Sequence, residues 1–245
     1  MSNIIAVIWD CDRTLINGYM QDPMFRKFGV DPKAFWNRVG ETIASYEKQG
    51  MRVNRDTYYL NQFIKEARNG CFAGLNNEML REFGREQTFY DGVEEIFRDT
   101  RDMFKDDERY SEYGIRVEHY IVSTGFAEVI RGSVLNPYVD GIWGCELAES
   151  PDENGRNVIN EVVYTIDNTT KTRAIFEINK GIGKLEAIEV NTKIPKELRR
   201  VQFENMIYIA DGPSDIPAFS LVKANGGSTF AIYPKGNFEA LRQVE

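Results

Sequence analysis

Apolar residues fall along the chain in two rhythms. Ile4-Ile5-Ala6-Val7-Ile8-Trp9 is an unbroken apolar run that stops at Asp10, the pattern of a strand buried on both faces of a parallel sheet. From about residue 16 to residue 87 the spacing becomes helical. Asp31-Pro32 predicts an N-cap with proline at the first helical position, and Phe35, Val39, Thr42, Ile43 and Tyr46 follow on one face. Asp56 predicts the cap of a second helix that carries Tyr59, Leu60, Phe63, Ile64 and Ala67 and ends at Asn69-Gly70. A third runs over about 76–83, and no strand pattern interrupts the stretch.

Strand and helix then alternate. Val93, Ile96, Phe97, Thr100, Met103 and Phe104 mark one helix face, followed by a charged loop over 105–112. Residues 117–122 predict a strand ending at Ser123-Thr124-Gly125, then a helix with Phe126, Val129, Ile130 and Val134. Residues 141–146 and 158–166 predict two strands around a hairpin or flap at 151–155. Thr170 predicts the cap of a helix over 171–180 closed by Gly181. A buried strand over 206–210 stops at Asp211-Gly212, and a helix over 216–223 and a strand over 229–233 complete the series. The pattern predicts an α/β fold: a doubly wound, Rossmann-like, mostly parallel sheet with right-handed crossovers. The core spans 1–15 and 88–245, and a helical cap domain over 16–87 is inserted after the first strand.

Composition narrows the classes. The 245 residues carry a formal net charge of -8, so no global attraction draws the chain to nucleic acid or anionic lipid. Any anion must be held by a local device. No apolar run approaches the roughly 20 residues of a membrane helix. Cys11, Cys71 and Cys145 are scattered and odd in number, which predicts free thiols and a cytoplasmic location. His119 is the single histidine, which argues against multi-histidine metal sites.

The chemistry gathers where predicted strands end. Asp10-Cys11-Asp12-Arg13-Thr14, Ser123-Thr124-Gly125 and Asp211-Gly212-Pro213-Ser214-Asp215 each follow an apolar run. Ligands of open α/β sheets bind at the carboxyl ends of strands, so these segments predict one crevice with four carboxylates, a hydroxyl and free helix N-termini. Four close carboxylates need a cation or must protonate. An oxygen-only donor set selects a hard ion, Mg2+ first, and ion and helix ends together attract an anion such as phosphate. Lys171, at a helix start, is the first candidate for an accompanying lysine; Lys180 and Lys184 are the alternatives.

With these motifs in order, the chain resembles the haloacid-dehalogenase-like hydrolase superfamily and its phosphoserine-phosphatase-like branch. Asp10 to Thr14 match its D-x-D-x-T signature, Ser123 its second motif, Lys171 its third, and Asp211 with Asp215 its acidic fourth. The resemblance implies a phosphatase for a small phosphorylated metabolite, with Asp10 as nucleophile and Asp12 as general acid and base. It implies Mg2+ held by the Asp10 carboxylate, the Asp12 carbonyl and Asp211, with Asp215 holding a ligand or its water. Ser123, the Thr124 and Gly125 backbone and Lys171 would hold the transferring group. Asp12 separates phosphatases from dehalogenases, whose halide leaving group needs no proton. Arg13 stands where the family usually has glycine, and its side chain either meets substrate or faces solvent. A phosphomutase, a phospho-accepting regulatory domain and a phosphate-binding protein without turnover are the competing readings.

Overall fold

The computed structural model describes residues 3–104 and 107–235. Of the expected charged loop, residues 105 and 106 lie outside the described residues, as do 1–2 and 236–245 of the expected core.

Six strands form one sheet: β1 (Ile4–Trp9), β2 (Arg116–Phe126), β3 (Gly141–Pro151), β4 (Asn157–Tyr164), β5 (Met206–Ala210) and β6 (Ser228–Ala231). Their order is β4-β3-β2-β1-β5-β6. All neighbours are parallel except β3 and β4, which form an antiparallel hairpin. The mostly parallel, Rossmann-like α/β sheet is therefore as the sequence predicts.

The unbroken apolar run of β1 has a simple origin. Alternate side chains point to opposite faces, and both faces are covered. Ile4, Ala6 and Ile8 pack with Ala174, Ile175 and Ile178 of α7 (Thr170–Lys180) and Ala218 and Val222 of α8 (Ile216–Ala224). Val7 and Trp9 pack on the other face with Phe97 of α5 (Val93–Asp102) and Val129 and Ile130 of α6 (Ala127–Gly132).

Between β1 and α5 lie four helices: α1 (Asp22–Phe28), α2 (Pro32–Lys48), α3 (Arg55–Asn69) and α4 (Asn77–Arg85). Phe25, Phe35, Phe63 and Phe72 meet at 5.1–5.7 Å for most pairs. Each buried ring contributes about 1.5–3 kcal/mol, so this cluster ties together helices that no sheet pairing supports. Phe63 also meets Phe126 of β2 at 5.4 Å. A Cβ on Gly132 of α6 would overlap the Arg81 backbone of α4, so the two helices touch backbone to backbone where glycine stands.

Several local expectations need correction. Asn54, not Asp56, caps α3 by accepting from Thr57 N at 2.9 Å. Thr170 does not cap α7; the Asp167 carboxylate accepts from Thr169 N and Thr170 N at 2.9 and 2.7 Å. β2 runs on through Ser123 to Phe126 rather than stopping at Ser123, and β3 extends to Pro151. Of the predicted α5 face, Val93 and Phe97 are buried while Ile96 and Met103 are exposed, and Val134 past α6 is exposed as well.

His119 is fully buried on β2, stacked at 4.5 Å on Phe97. Trp9 Nε1 donates to its Nδ1 at 3.1 Å, and its Nε2 lies 3.0 Å from Thr100 Oγ1. An indole N–H only donates, so the ring is held neutral. Burial, with Arg101 adding to it, lowers the imidazole from 6.5 to about 4. The unfolded chain therefore binds the extra proton first, and stability falls as pH drops through the window from 6.5 to 4. Chemical denaturation at pH 7.5 and pH 5 is expected to show the native protein losing about 2 kcal/mol more than His119→Gln across that interval. Equal losses would remove His119 as the cause.

Candidate active site

The parallel register sets three segments side by side. Trp9 pairs with Ile121 of β2 and Ile209 of β5, so Asp10, Ser123 and Asp211 follow at one edge of the sheet. Asp10 N donates to Ile209 O at 2.9 Å, which fixes the first turn beyond β1 to the neighbouring strand.

Lys171 enters this edge from the first turn of α7. Its side chain is 1% exposed, and Nζ donates to Asp10 Oδ1 at 2.7 Å and Asp215 Oδ1 at 2.6 Å. Burial opposes the ammonium charge, but the two carboxylates outweigh it and raise the group above its ordinary range. Lys180 is occupied elsewhere, donating to Val190 O and Thr192 O. Sequence left Lys171, Lys180 and Lys184 open; geometry brings Lys171 to the carboxylates.

Asp10, Asp211 and Asp215 offer oxygens within 4.8 Å of one another. The expected fourth carboxylate, Asp12, stands outside that group and accepts from Met20 N at 2.9 Å. Asp10 Oδ2 accepts from Thr14 Oγ1 at 3.2 Å. Asp215 heads α8 without capping it, and accepts instead from Tyr208 and Ser214 hydroxyls at 2.6 and 2.7 Å. Arg13 adopts φ +58°, the left-handed region that favours glycine, and its half-exposed guanidinium lies 3.6 Å from Asp211.

Two adjacent carboxyls are driven upward. Burial, and then the Asp10 charge, push Asp12 up to about 8, against the Met20 N–H. Asp10 rises to about 6 through burial, with Lys171 pulling it down. Asp211 is also raised, mainly by burial. A carboxyl protonated at neutral pH thus sits two residues from one paired with an ammonium.

Ser123 is buried, and its Oγ accepts from Gly125 N at 3.1 Å, which leaves the hydroxyl proton free to donate. Gly125 is needed for another reason: a Cβ there would collide with the Met20 thioether. Thr124 O accepts from Tyr59 Oη of α3 at 2.5 Å, joining the helical segment to the strand edge. Met20 and Tyr208 escaped the sequence reading, because a methionine in a loop or a tyrosine at strand spacing looks like ordinary packing, whereas Tyr59 stood in it only as a position on a helix face. A cavity of ≈ 580 Å³ opens beside Asp12 and Thr124 and runs between α2 and α3.

No protein-family model matches the chain. It is 37% identical over 231 residues to an uncharacterized protein of Borreliella burgdorferi, covering 90% of this chain and 79% of that one. A haloacid-dehalogenase family hydrolase of Salmonella enterica serovar Typhi superposes with a TM-score of 0.58 at 12% identity, over 98% of this chain and 71% of that one. A phosphoserine phosphatase structure described as a phospho-aspartyl intermediate analogue gives 0.50 at 18% identity, over 97% of both chains. At these identities the solved structures share the fold. No helix among the described residues is long and apolar enough to cross a membrane.

If Lys171 alone lets two buried carboxylates coexist, its loss must cost stability. Lys171→Met is expected to lower the unfolding free energy in EDTA at pH 7.5 by about 3–5 kcal/mol, the penalty of stranding buried charges. A change below about 1 kcal/mol would contradict the pairing.

Proposed function

We propose that this chain, which belongs to the family of that Borreliella burgdorferi protein and has the haloacid-dehalogenase-like hydrolase fold, is a magnesium-dependent phosphatase that carries the phosphoryl group of a small phosphomonoester on Asp10. One observation carries the reading. A carboxylate at a strand end is held by a buried lysine, shares a carboxylate cluster with Asp211 and Asp215, and stands two residues from a carboxyl raised to about 8.

Asp10, Asp211 and Asp215, with the Asp12 carbonyl, are the groups to hold the ion, and their all-oxygen donor set fits a hard divalent cation. When bound, the ion supplies charge neutralisation at the phosphoryl oxygens.

The residues divide the chemistry as follows. An Asp10 oxygen attacks phosphorus while the bond to the alcohol oxygen breaks, and the Asp12 carboxyl gives its proton to that oxygen. Water then attacks the phosphorylated Asp10; Asp12 takes the water's proton and inorganic phosphate leaves. Lys171, the Ser123 hydroxyl and backbone N–H groups at Thr124 and Gly125 hold the moving phosphoryl group, and Arg13 faces the same edge from solvent. The helices α1–α4 serve as the cap domain that keeps bulk water from the crevice. A phospho-accepting regulator would need no proton donor at Asp12, so turnover is favoured over stable phosphorylation.

Two outcomes test this. Purified protein with Mg2+ releases phosphate from phenyl phosphate, and Asp10→Asn lowers the rate by at least about 10³ while folding normally. Undiminished release by the variant would defeat the assignment of Asp10. Asp12→Asn slows the steps up to alcohol release, read as kcat/KM, by about 10²–10⁴ for an alkyl phosphate, and far less for p-nitrophenyl phosphate, because nitrophenolate leaves without a proton. Equal slowing of both would remove Asp12 as the acid.

A further inference from the structure

Resting on that phosphatase reading, we propose that the alcohol half of the substrate carries an organic ammonium, seated on the ring faces of Trp36 and Tyr59 and paired with Asp56. The cavity that opens on Asp12 and Thr124 is where the alcohol half must lie, since its other walls come from α1, α2, α3 and the residues just before α1. At ≈ 580 Å³ it falls within the range of small-molecule sites.

Its wall is aromatic. Trp36 is 37% exposed although it packs edge-on against Phe35 at 5.1 Å and Tyr59 at 5.8 Å. The Tyr59 hydroxyl is committed to Thr124 O, so this residue offers the cavity its ring. Aromatic faces carry the negative end of the ring quadrupole and attract cations within about 6 Å.

The charge on the cavity lining has the matching sign. Asp12, Asp22 and Asp56 all line it and are all partly buried. Asp22 accepts from Tyr19 N at 3.0 Å and Asp12 from Met20 N. The Asp56 carboxylate takes no hydrogen bond or ion pair from any described residue. It lies in the first turn of α3, whose N-cap is already filled by Asn54, so capping does not account for it. A half-buried carboxylate without a partner, beside two aromatic rings, is completed by a cation.

The lining cations do not cancel this. Lys33 and Arg55 are exposed, and the 71%-exposed Arg55 side chain reaches Glu47 at 3.8 Å. A substrate with its own carboxylate, such as a phosphorylated amino acid, would meet the Asp22 and Asp56 carboxylates on the partly buried lining, with cations only on exposed side chains. A purely apolar alcohol would leave Asp56 unpaired.

The experiment compares phosphocholine with 3,3-dimethylbutyl phosphate, its uncharged isostere, using phenyl phosphate as the control for turnover. The Mg2+-loaded protein is expected to favour phosphocholine at least about tenfold in kcat/KM. Asp56→Asn is expected to reduce that ratio at least fivefold, and Trp36→Leu to reduce it in the same direction; a ratio taken within one variant cancels any loss of folded protein. A native ratio near one, or a ratio unchanged in both variants, overturns the proposal. If phenyl phosphate is not hydrolysed, the phosphatase reading fails separately. Calorimetry with choline and 3,3-dimethylbutanol then decides the cation subsite: tighter choline binding that Asp56→Asn weakens supports it, and equal or absent binding of the two alcohols overturns it.

Discussion

Two carboxylates buried together, one at the end of β1 and one at the head of α8, repel each other, and Lys171 is what allows Asp10 and Asp215 to share one place. The ammonium reaches both at hydrogen-bond distance from α7, which packs on the same sheet face as α8. Three elements separated widely in sequence must therefore dock together before the charges are satisfied. The pairing leaves Asp211 as the more exposed member of the cluster. It also sets the contrast with Asp12: the Asp10 charge that Lys171 sustains is what, after burial, drives Asp12 toward its protonated form. One buried lysine thus gives two aspartates two residues apart different proton affinities.

The helical segment is fixed to this centre at defined points. Tyr59 reaches the Thr124 carbonyl, Phe63 packs on Phe126, and glycine contact locks α4 to α6. The cavity wall and the strand edge consequently belong to one continuous apolar cluster, which contains Tyr59 and Phe126 together. The cavity between α2 and α3 and the carboxylate cluster at the strand ends share that packing, so a change in one is transmitted to the other through a few contacts.

Much of this was legible in the sequence. Continuous apolar runs gave the parallel strands because both sheet faces are covered, and the polar residues that end them gave Asp10, Ser123, Asp211 and Asp215. Lys171 was legible from its place at a helix start. Helix caps were less so: Asn54 and Asp56 are both capping types, and only the backbone geometry shows that Asn54 accepts the N–H. That misreading concealed the unpartnered Asp56. The continuation of β2 through Ser123 was hidden because Ser-Thr-Gly reads as a turn. Contacts such as Met20 on Gly125 leave no local pattern, since they join residues far apart in the chain.

The central claim is that Asp10 receives the phosphoryl group, and trapping tests it most directly. Protein mixed with phenyl phosphate and Mg2+ is quenched in acid within milliseconds, reduced with borohydride, and its peptides are weighed by mass spectrometry. An acyl phosphate on Asp10 is expected to appear as homoserine at position 10, with Asp12, Asp211 and Asp215 unaltered. Steady turnover without conversion at position 10, or conversion at another aspartate instead, would contradict the account.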